Sequence, residues 1–213
     1  MPKTLATTAA PPSRRQAHKM RTERLLQKAA LELFANQGYD ETTTEAIAER
    51  AGVSPRTFFR YFATKESVLF VGEYDFFQSF TTDYEKQPLE LSDVDAMVKT
   101  LLKLTPGHVK RRRALVLYEK AVASSPTLRG GVHDRQQNDI GTVAEAVAKR
   151  RGMSKPDESC FLLGAVFLLT YRRALTAWLA GPASADLTAI ITGNFELLKA
   201  LLNPVSPDGQ RRA

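Results

Sequence analysis

Apolar residues recur at three- and four-residue steps along most of the chain after residue 21, which is the spacing of amphipathic helices. The first apolar stripe ends at Gly38 and predicts a helix of about four turns. Thr42 and Glu45 have the spacing of a capping box, so a short second helix is expected to begin near Thr43 and to end at Gly52.

Two further helices follow from local signals. Ser54 followed by Pro55 predicts a helix start, because a serine hydroxyl accepts an unpaired amide and proline is tolerated at the first helical position. This short third helix is expected to run to Phe62. A fourth is expected from Thr64 to just before Gln87, long enough to link two domains.

The rest of the chain continues the helical pattern. Helices are expected at 92–105, 109–123, 126–152, 156–180 and 185–202, with a break at Pro106 and Gly107 between the first two. No stretch keeps the two-residue alternation of a strand for long. The expected fold class is therefore all-α.

The charge is positive and unevenly placed. The formal net charge is +7, which favours polyanionic partners. Lys3, Arg14, Arg15, Lys19 and Arg21 precede the first predicted helix without an acid among them. This pattern fits a basic arm that binds nucleic acid and fits a solvated, disordered tail equally well.

The cysteine content and the apolar runs bear on the cellular compartment of the protein. Cys160 is the one cysteine, which excludes an intramolecular disulfide and a thiolate metal cluster within one chain. Residues 1–12 lack the apolar core of a signal peptide, and the run from Cys160 to Thr170 is too short to span a membrane. A cytoplasmic protein without a membrane partner is expected.

The second and third predicted helices flank a Gly-containing turn, Ala51 to Val53, as in a helix-turn-helix whose second helix enters the major groove of DNA. The residues expected to pack against the first helix are Ile47, Val53, Phe58 and Phe62. The outward face is then left with Pro55, Arg56, Thr57, Phe59, Arg60 and Tyr61.

These outward side chains suit DNA. Arg56, near the helix start, is the best candidate to read a base, because a guanidinium matches guanine O6 and N7. Hydroxyls, cations and helix-start amides suit phosphates, and Pro55 and Phe59 suit thymine methyls or sugars. The full candidate DNA-binding set is Thr43, Thr44, Ser54, Pro55, Arg56, Thr57, Phe59, Arg60, Tyr61 and Lys65.

The stretches 38–48 (GYDETTTEAIA) and 51–66 (AGVSPRTFFRYFATKE) closely resemble the TetR (tetracycline-repressor) family, and the resemblance covers about residues 20–80. It implies operator contacts at Thr44, Pro55, Arg56, Thr57, Phe59, Arg60, Tyr61 and Lys65. Phe59 stands where many members have tyrosine, so a hydroxyl directed at phosphate is missing there. The sequence of the predicted recognition helix resembles that of actinobacterial members. The stretch from Arg111 to Ala180 is more weakly similar to the C-terminal domain of mycofactocin-type regulators.

The resemblance implies a helix-turn-helix domain over 20–80 and a helical effector-binding and dimerisation domain over 81–203. A disordered basic arm over 1–19 and a disordered tail over 204–213 are expected to flank them. The last two helices would form the interface of a homodimer, and their high apolar content supports this role. A twofold dimer matches DNA half-sites about 34 to 36 Å apart.

The aromatic residues of the C-terminal half are either plain core or the lining of a cavity for a small apolar or acyl-type ligand. The candidate lining set is Phe76, Phe80, Met97, Leu101, Tyr118, Phe161, Tyr171 and Trp178. Arg172 and Arg173 suit an anionic ligand or a solvated face, and residues 111–113 are expected to form a solvated face.

The expected function is a homodimeric regulator that a ligand releases from a palindromic operator, by changing the separation of the recognition helices through the fourth helix. The family resemblance implies that this regulator is a repressor. An architectural DNA-binding protein without an effector is the alternative. An enzyme is not expected, because the three histidines lack metal-ligand spacing and no phosphate loop or nucleophile elbow occurs. No metal or cofactor is expected.

Overall fold

The computed structural model describes residues 13–202, apart from the side chains of residues 73–75. Within this range there are eight α-helices, one 3-10 helix and no strand, so the all-α prediction is confirmed. The α-helices are α1 (Arg14–Gln37), α2 (Thr44–Arg50), α3 (Pro55–Tyr61), α4 (Glu73–Tyr84), α5 (Asp93–Ser124), α6 (Pro126–Arg150), α7 (Glu158–Ala180) and α8 (Leu187–Leu202). The 3-10 helix, Glu66–Phe70, lies between α3 and α4.

The chain divides into two compact parts at the bond between Val71 and Gly72. The sequence placed this boundary after residue 80. The difference arises because Phe77 and Phe80 of α4 are buried in the core of the second part. The N-terminal part contains α1, α2, α3 and the 3-10 helix, and the C-terminal part contains α4 to α8.

Helix α1 begins earlier than predicted. Ser13 and Gln16 form a capping box: the Ser13 amide donates to Gln16 Oε1 at 2.9 Å, and the Gln16 amide donates to Ser13 Oγ at 3.3 Å. The expected disordered arm over 1–19 is therefore corrected for residues 13–19, which are the cap and first turns of a helix. The remainder of that arm and the tail over 204–213 lie outside the described residues.

The predicted fourth helix is interrupted. Instead of one helix from Thr64 onward, the 3-10 helix ends at Phe70 and α4 begins at Glu73. Gly72, between them, has φ of 78°, a left-handed conformation that side chains other than glycine rarely adopt. The apolar periodicity that predicted one helix continues across the break, which is why the sequence did not reveal it.

The predicted break at Pro106 is absent, and α5 continues through this residue to Ser124. Proline has no N–H for the carbonyl four residues earlier, Leu102 O. The Thr105 hydroxyl donates to that carbonyl at 2.9 Å. A neighbouring side chain therefore replaces the missing backbone bond, which allows the helix to continue.

The core of the C-terminal part is rich in stacked aromatic rings. Phe80 stacks on Phe167 with ring centroids 4.7 Å apart, and Phe167 lies 5.9 Å from Phe195 of α8. Helix α7 has the length and apolar composition of a membrane-crossing helix, and it is longer than the apolar run considered in the sequence. A third of this apolar stretch is buried, and its buried residues, including Phe167 and Trp178, belong to the aromatic core.

Candidate DNA-binding surface

The helix-turn-helix is supported by a small apolar core. Ile47 of α2 and Phe58 of α3 are fully buried, as is Phe34 of α1 at 1% exposure. Phe62 is also buried, with its ring centroid 5.6 Å from that of Phe58. Three of the four residues predicted to pack here are therefore buried, whereas Val53 is half-buried because it belongs to the turn.

The turn between α2 and α3 depends on Gly52, whose φ is 71°. Its amide donates to Glu49 O, and the next amide, of Val53, donates to Ala48 O at 2.9 Å. These bonds end α2 in a Gly-based C-terminal cap. The chain is thereby redirected into α3 within three residues.

Helix α3 starts at the predicted cap, Ser54, whereas α2 is capped by Thr43, one residue after the Thr42 of the predicted capping box. The Ala46 amide donates to Thr43 Oγ1 at 3.1 Å, and the Thr57 amide donates to Ser54 Oγ at 3.2 Å. The hydroxyls of Ser54 and Thr57 also lie 3.0 Å apart. These two oxygens are therefore already within hydrogen-bond distance of each other at the start of α3.

The outward face of α3 is apolar and cationic. Pro55, Arg56, Phe59 and Arg60 are exposed, Phe59 to 55%, which is unusual for a phenylalanine in a folded domain. Arg56 makes no hydrogen bond or ion pair with any residue in the described range. The Arg60 guanidinium lies 5.1 Å from the ring of Tyr61, which is half-buried. Arg56 at the helix start is therefore free to reach a base edge.

Lys65 has a different environment from that expected for a phosphate contact. Its ammonium donates to Tyr39 O at 2.7 Å and to Thr42 O at 2.8 Å, and it lies 4.0 Å from the centroid of the Tyr39 ring. The Tyr39 hydroxyl donates to Glu66 at 2.8 Å, and burial, with that carboxylate, raises the pKa of Tyr39 well above its ordinary value. Lys65 therefore ties the start of the 3-10 helix to the loop that precedes Thr43.

Gln27 is a structural residue that the sequence did not single out. It is buried in α1, and its side-chain amide donates to Leu69 O and Val71 O, both at 3.2 Å. These are carbonyls at the end of the 3-10 helix. Its place between the buried positions Leu26 and Ala30 could have indicated a buried polar side chain that needs hydrogen-bond partners.

The candidate ligand-lining residues are in three environments. Phe80, Met97, Leu101 and Trp178 are each at most 1% exposed, whereas Phe161 is 39% exposed. Tyr118 is half-buried. The structure therefore brings only part of the predicted set into one place.

Phe76 and Tyr171 come together around a half-buried histidine, His108. Their rings stack at 5.6 Å, and the Tyr171 hydroxyl lies 2.6 Å from Nε2 of His108. Burial lowers the pKa of His108, assisted by the Arg111 charge and opposed by a bond to Leu104. A neutral imidazole beside a phenol is thus the polar feature of this aromatic region.

The arginine run 111–113 is not uniformly a solvated face. Arg112 is half-buried, with its guanidinium 5.1 Å from the Trp178 ring. It donates to Gly181 O at 2.6 Å and to Trp178 O at 3.0 Å, at the C-terminus of α7. A cation is favourable at this end of a helix, where carbonyls are unpaired. Of the later pair, Arg172 is half-buried and Arg173 exposed.

Comparison with known proteins covers both parts of the chain. The family described as bacterial regulatory proteins, tetR family, matches residues 26–70, and the MftR C-terminal domain matches residues 104–203. The HTH-type transcriptional regulator TcmR of Streptomyces glaucescens is 30% identical over 208 residues, which covers 94% of this chain and 91% of TcmR. MftR of Mycobacterium tuberculosis, named for mycofactocin biosynthesis, is 26% identical over 188 residues, with coverage of 82% and 87%.

Solved structures agree on the fold. FadR of Thermus thermophilus, a TetR family repressor in complex with lauroyl-CoA, has a TM-score of 0.57 and 23% identity, covering 90% of this chain and 97% of FadR. FadR of Bacillus subtilis, in complex with stearoyl-CoA, has a TM-score of 0.55 and 20% identity, with coverage of 82% and 96%. With the helix-turn-helix and the similarity to TcmR along most of both chains, these matches show that the chain belongs to the TetR family of bacterial regulatory proteins.

Proposed function

We propose that this protein is a homodimeric repressor that binds a palindromic operator in the cytoplasm and leaves it when a small apolar or acyl-type ligand binds the C-terminal part. The observation that supports DNA binding is the outward face of α3. Its apolar and cationic side chains are exposed, while Phe58 on the opposite face is buried. The architectural alternative is not favoured, because the relatives matched over both parts are transcriptional regulators. No catalytic role is proposed.

In this proposal α3 lies in the major groove and Arg56 reads a base. Its position in the first turn and its lack of partners in the described range leave the guanidinium available for a bidentate bond to guanine. Thr43 and Thr44 at the start of α2, with Ser54, Thr57, Arg60 and Tyr61, contact phosphates, and Pro55 and Phe59 give apolar contacts. Lys65 supports the start of α2 through the loop carbonyls rather than through phosphate.

The proposed dimer uses α7 and α8. Both helices expose large apolar side chains: Phe161, Leu162, Leu169, Leu197, Leu201 and Leu202. Exposed apolar residues repeated along two neighbouring helices are typical of a protein interface. A twofold dimer would present two copies of α3 to half-sites about 34 to 36 Å apart or a multiple of that distance.

The proposed ligand site is the aromatic region around Phe76, His108 and Tyr171. The acyl-CoA complexes of the two FadR proteins support an acyl-type ligand at the level of fold. Phe80, Met97 and Leu101 are closely packed, at 0 to 1% exposure. A ligand that reached them would have to displace packed side chains, and such a displacement is how binding would change the shape of the C-terminal part.

Arg56→Ala tests the proposal. Loss of the Arg56 side chain is expected to weaken operator binding by about 1 to 3 kcal/mol, roughly 5- to 150-fold, and to leave binding to random DNA nearly unchanged. The assay is anisotropy with the intergenic DNA beside its own gene, with and without long-chain acyl-CoA. Arg60→Ala is the matched control, expected to weaken both DNAs alike. Equal weakening of both DNAs by Arg56→Ala would contradict the base-reading role, and no preference of the wild type for the intergenic DNA would contradict the proposal itself.

A further inference from the structure

The first half of α1 packs against almost none of the other residues that the structure describes. Every residue from Ser13 to Arg21 is exposed, and burial begins at Thr22 and Leu26. Helices in globular proteins usually gain their stability by burying one face, which this segment does not do. It is held instead by the Ser13–Gln16 capping box and by an ion pair of 3.7 Å between Lys19 and Glu23. The segment is therefore stable for reasons other than the core.

The positive charges on this segment destabilise the helix that carries them. The first half of α1, to Leu25, carries the cations Arg14, Arg15, Lys19, Arg21 and Arg24 against the single acid Glu23, and Lys28 follows. Arg14 and Arg15 stand in the first turn, which has no acidic residue. Cations at a helix N-terminus are unfavourable, because the unpaired amides there already carry partial positive charge. An anionic partner would remove both this repulsion and that between the side chains.

The stretch from residue 29 to residue 71 carries no net positive charge. Residues 29–71, which include α2 and α3, contain four basic residues and six acidic ones. DNA binding depends on cations that neutralise phosphates and release counterions. In this protein, the cations of the N-terminal part are concentrated on the first half of α1, outside the two helices of the helix-turn-helix. The residues from Arg14 to Arg24 also precede the matched family segment, which begins at residue 26.

A shallow groove on α1 combines apolar residues with cations, an arrangement that suits phosphate contacts. Met20 and Leu25 are 37% and 43% exposed, and with Ala17 they share a groove with Arg21, Arg24 and Lys28. Long cationic side chains lie with their stems along such apolar surface and keep their charged ends in solvent. In this groove the partly exposed Met20 and Leu25 lie beside the three cationic side chains.

We propose that the first half of α1 is a second DNA-binding surface, which contacts the phosphate backbone beside the half-site without reading sequence. The inference rests on the DNA-binding function proposed above. It assigns overall affinity and salt dependence to Arg14, Arg15, Arg21 and Arg24, and sequence preference to α3. Charge complementarity selects DNA as the occupant, since the surface is almost purely cationic and belongs to the part that carries the helix-turn-helix.

The test replaces Arg14, Arg15, Arg21 and Arg24 together by glutamine in the full chain. The control replaces Lys86, Lys99, Lys120 and Lys155, four exposed cations of the C-terminal part, so that the net charge changes equally. Binding to a labelled random duplex is measured from about 50 to 200 mM salt. The slope of log K against log salt is expected to fall by about 3 to 4 in the α1 variant, because each phosphate contact contributes about 0.9, and by less than 1 in the control.

The variant is expected to melt at or above the wild-type temperature, because the replaced cations destabilise the helix N-terminus. Equal slopes for the α1 variant and the control would overturn the proposal. So would unchanged slopes accompanied by a loss of binding to phosphatidylserine vesicles, which would identify a membrane as the partner. Random DNA has no operator, so this result is independent of whether Arg56→Ala confirms the proposed sequence reading.

Discussion

Arg150 is expected to be one of the most important polar residues for the stability of the C-terminal part. Its side chain is 4% exposed and donates to Asp93 Oδ1 at 2.6 Å, to Pro88 O at 2.6 Å and to Leu91 O at 2.8 Å. Burial alone would raise the pKa of Asp93, yet the Tyr84 hydroxyl and the neighbouring guanidiniums hold it below its ordinary value. The network joins the end of α6 to the loop and helix that follow α4.

Arg150→Met keeps the volume and removes these bonds. Two bonds to carbonyls are worth about 1 kcal/mol each and one to a carboxylate about 2 kcal/mol. Arg151 still pairs with Asp93, its Nε lying 2.9 Å from Oδ2, so the buried carboxylate is not left alone. We therefore expect a loss of about 4 kcal/mol, in the middle of the range for breaking a buried ion pair, and a fall in Tm of roughly 8 to 16 °C.

The assay is urea unfolding followed by tryptophan fluorescence. Trp178 is the one tryptophan and is 1% exposed in the core of the C-terminal part, so its emission reports unfolding of that part. Lys149→Met is the matched control: Lys149 is adjacent, its side chain is 71% exposed, and it pairs with Glu85. Such a surface pair is worth about 1 kcal/mol or less. A loss in Arg150→Met no larger than in this control would refute the reasoning.

Two further predictions follow from single side chains. Burial raises the pKa of Asp139 from 3.8 to about 6. Asp139 therefore ionises at a lower pH in the unfolded chain than in the folded one, and the free energy of unfolding falls as the pH rises from about 4 to 6. Asp139→Asn is expected to flatten this dependence in urea titrations and to stabilise the protein at pH 7.5 by up to about 3 kcal/mol, unlike exposed Asp134→Asn. Lys65→Met is expected to weaken operator binding with an unchanged salt slope; a slope reduced by about 0.9 would show that Lys65 contacts phosphate directly.

The features that the sequence predicted correctly are those encoded over a few neighbouring residues. Ser54 caps α3 as predicted, Thr43 caps α2 one residue after the predicted Thr42, and Gly52 supplies the left-handed turn. Such contacts depend on residue type and spacing alone, so the helix-turn-helix could be located to within a residue or two. The Ser13–Gln16 box was available in the same way, but the absence of an apolar stripe before Thr22 obscured it.

The features that the sequence did not predict depend on contacts between distant residues. Lys65 bonds a carbonyl 26 positions away, and Arg150 bonds a carboxylate 57 positions away. A cation at the surface and one inside look alike in sequence unless periodicity places the residue on a buried face. Arg150 lies three and seven residues after the buried Val147 and Val143, so its helix phase did indicate burial. Lys65 lies in a loop, where no periodicity exists to indicate its environment.

The connection between the two parts is not a single helix. The helical hydrogen bonds stop at Phe70 and resume at Glu73, and the chain bends at the left-handed Gly72 between them. Each side of the bend is held separately. Gln27 holds the carbonyls of Leu69 and Val71, and Arg111 packs so closely on Gly72 that an added Cβ would lie 2.7 Å from its guanidinium. Arg111 lies one turn from His108 on α5, so a ligand that displaced the His108–Tyr171 pair would act on the residue that fixes this bend.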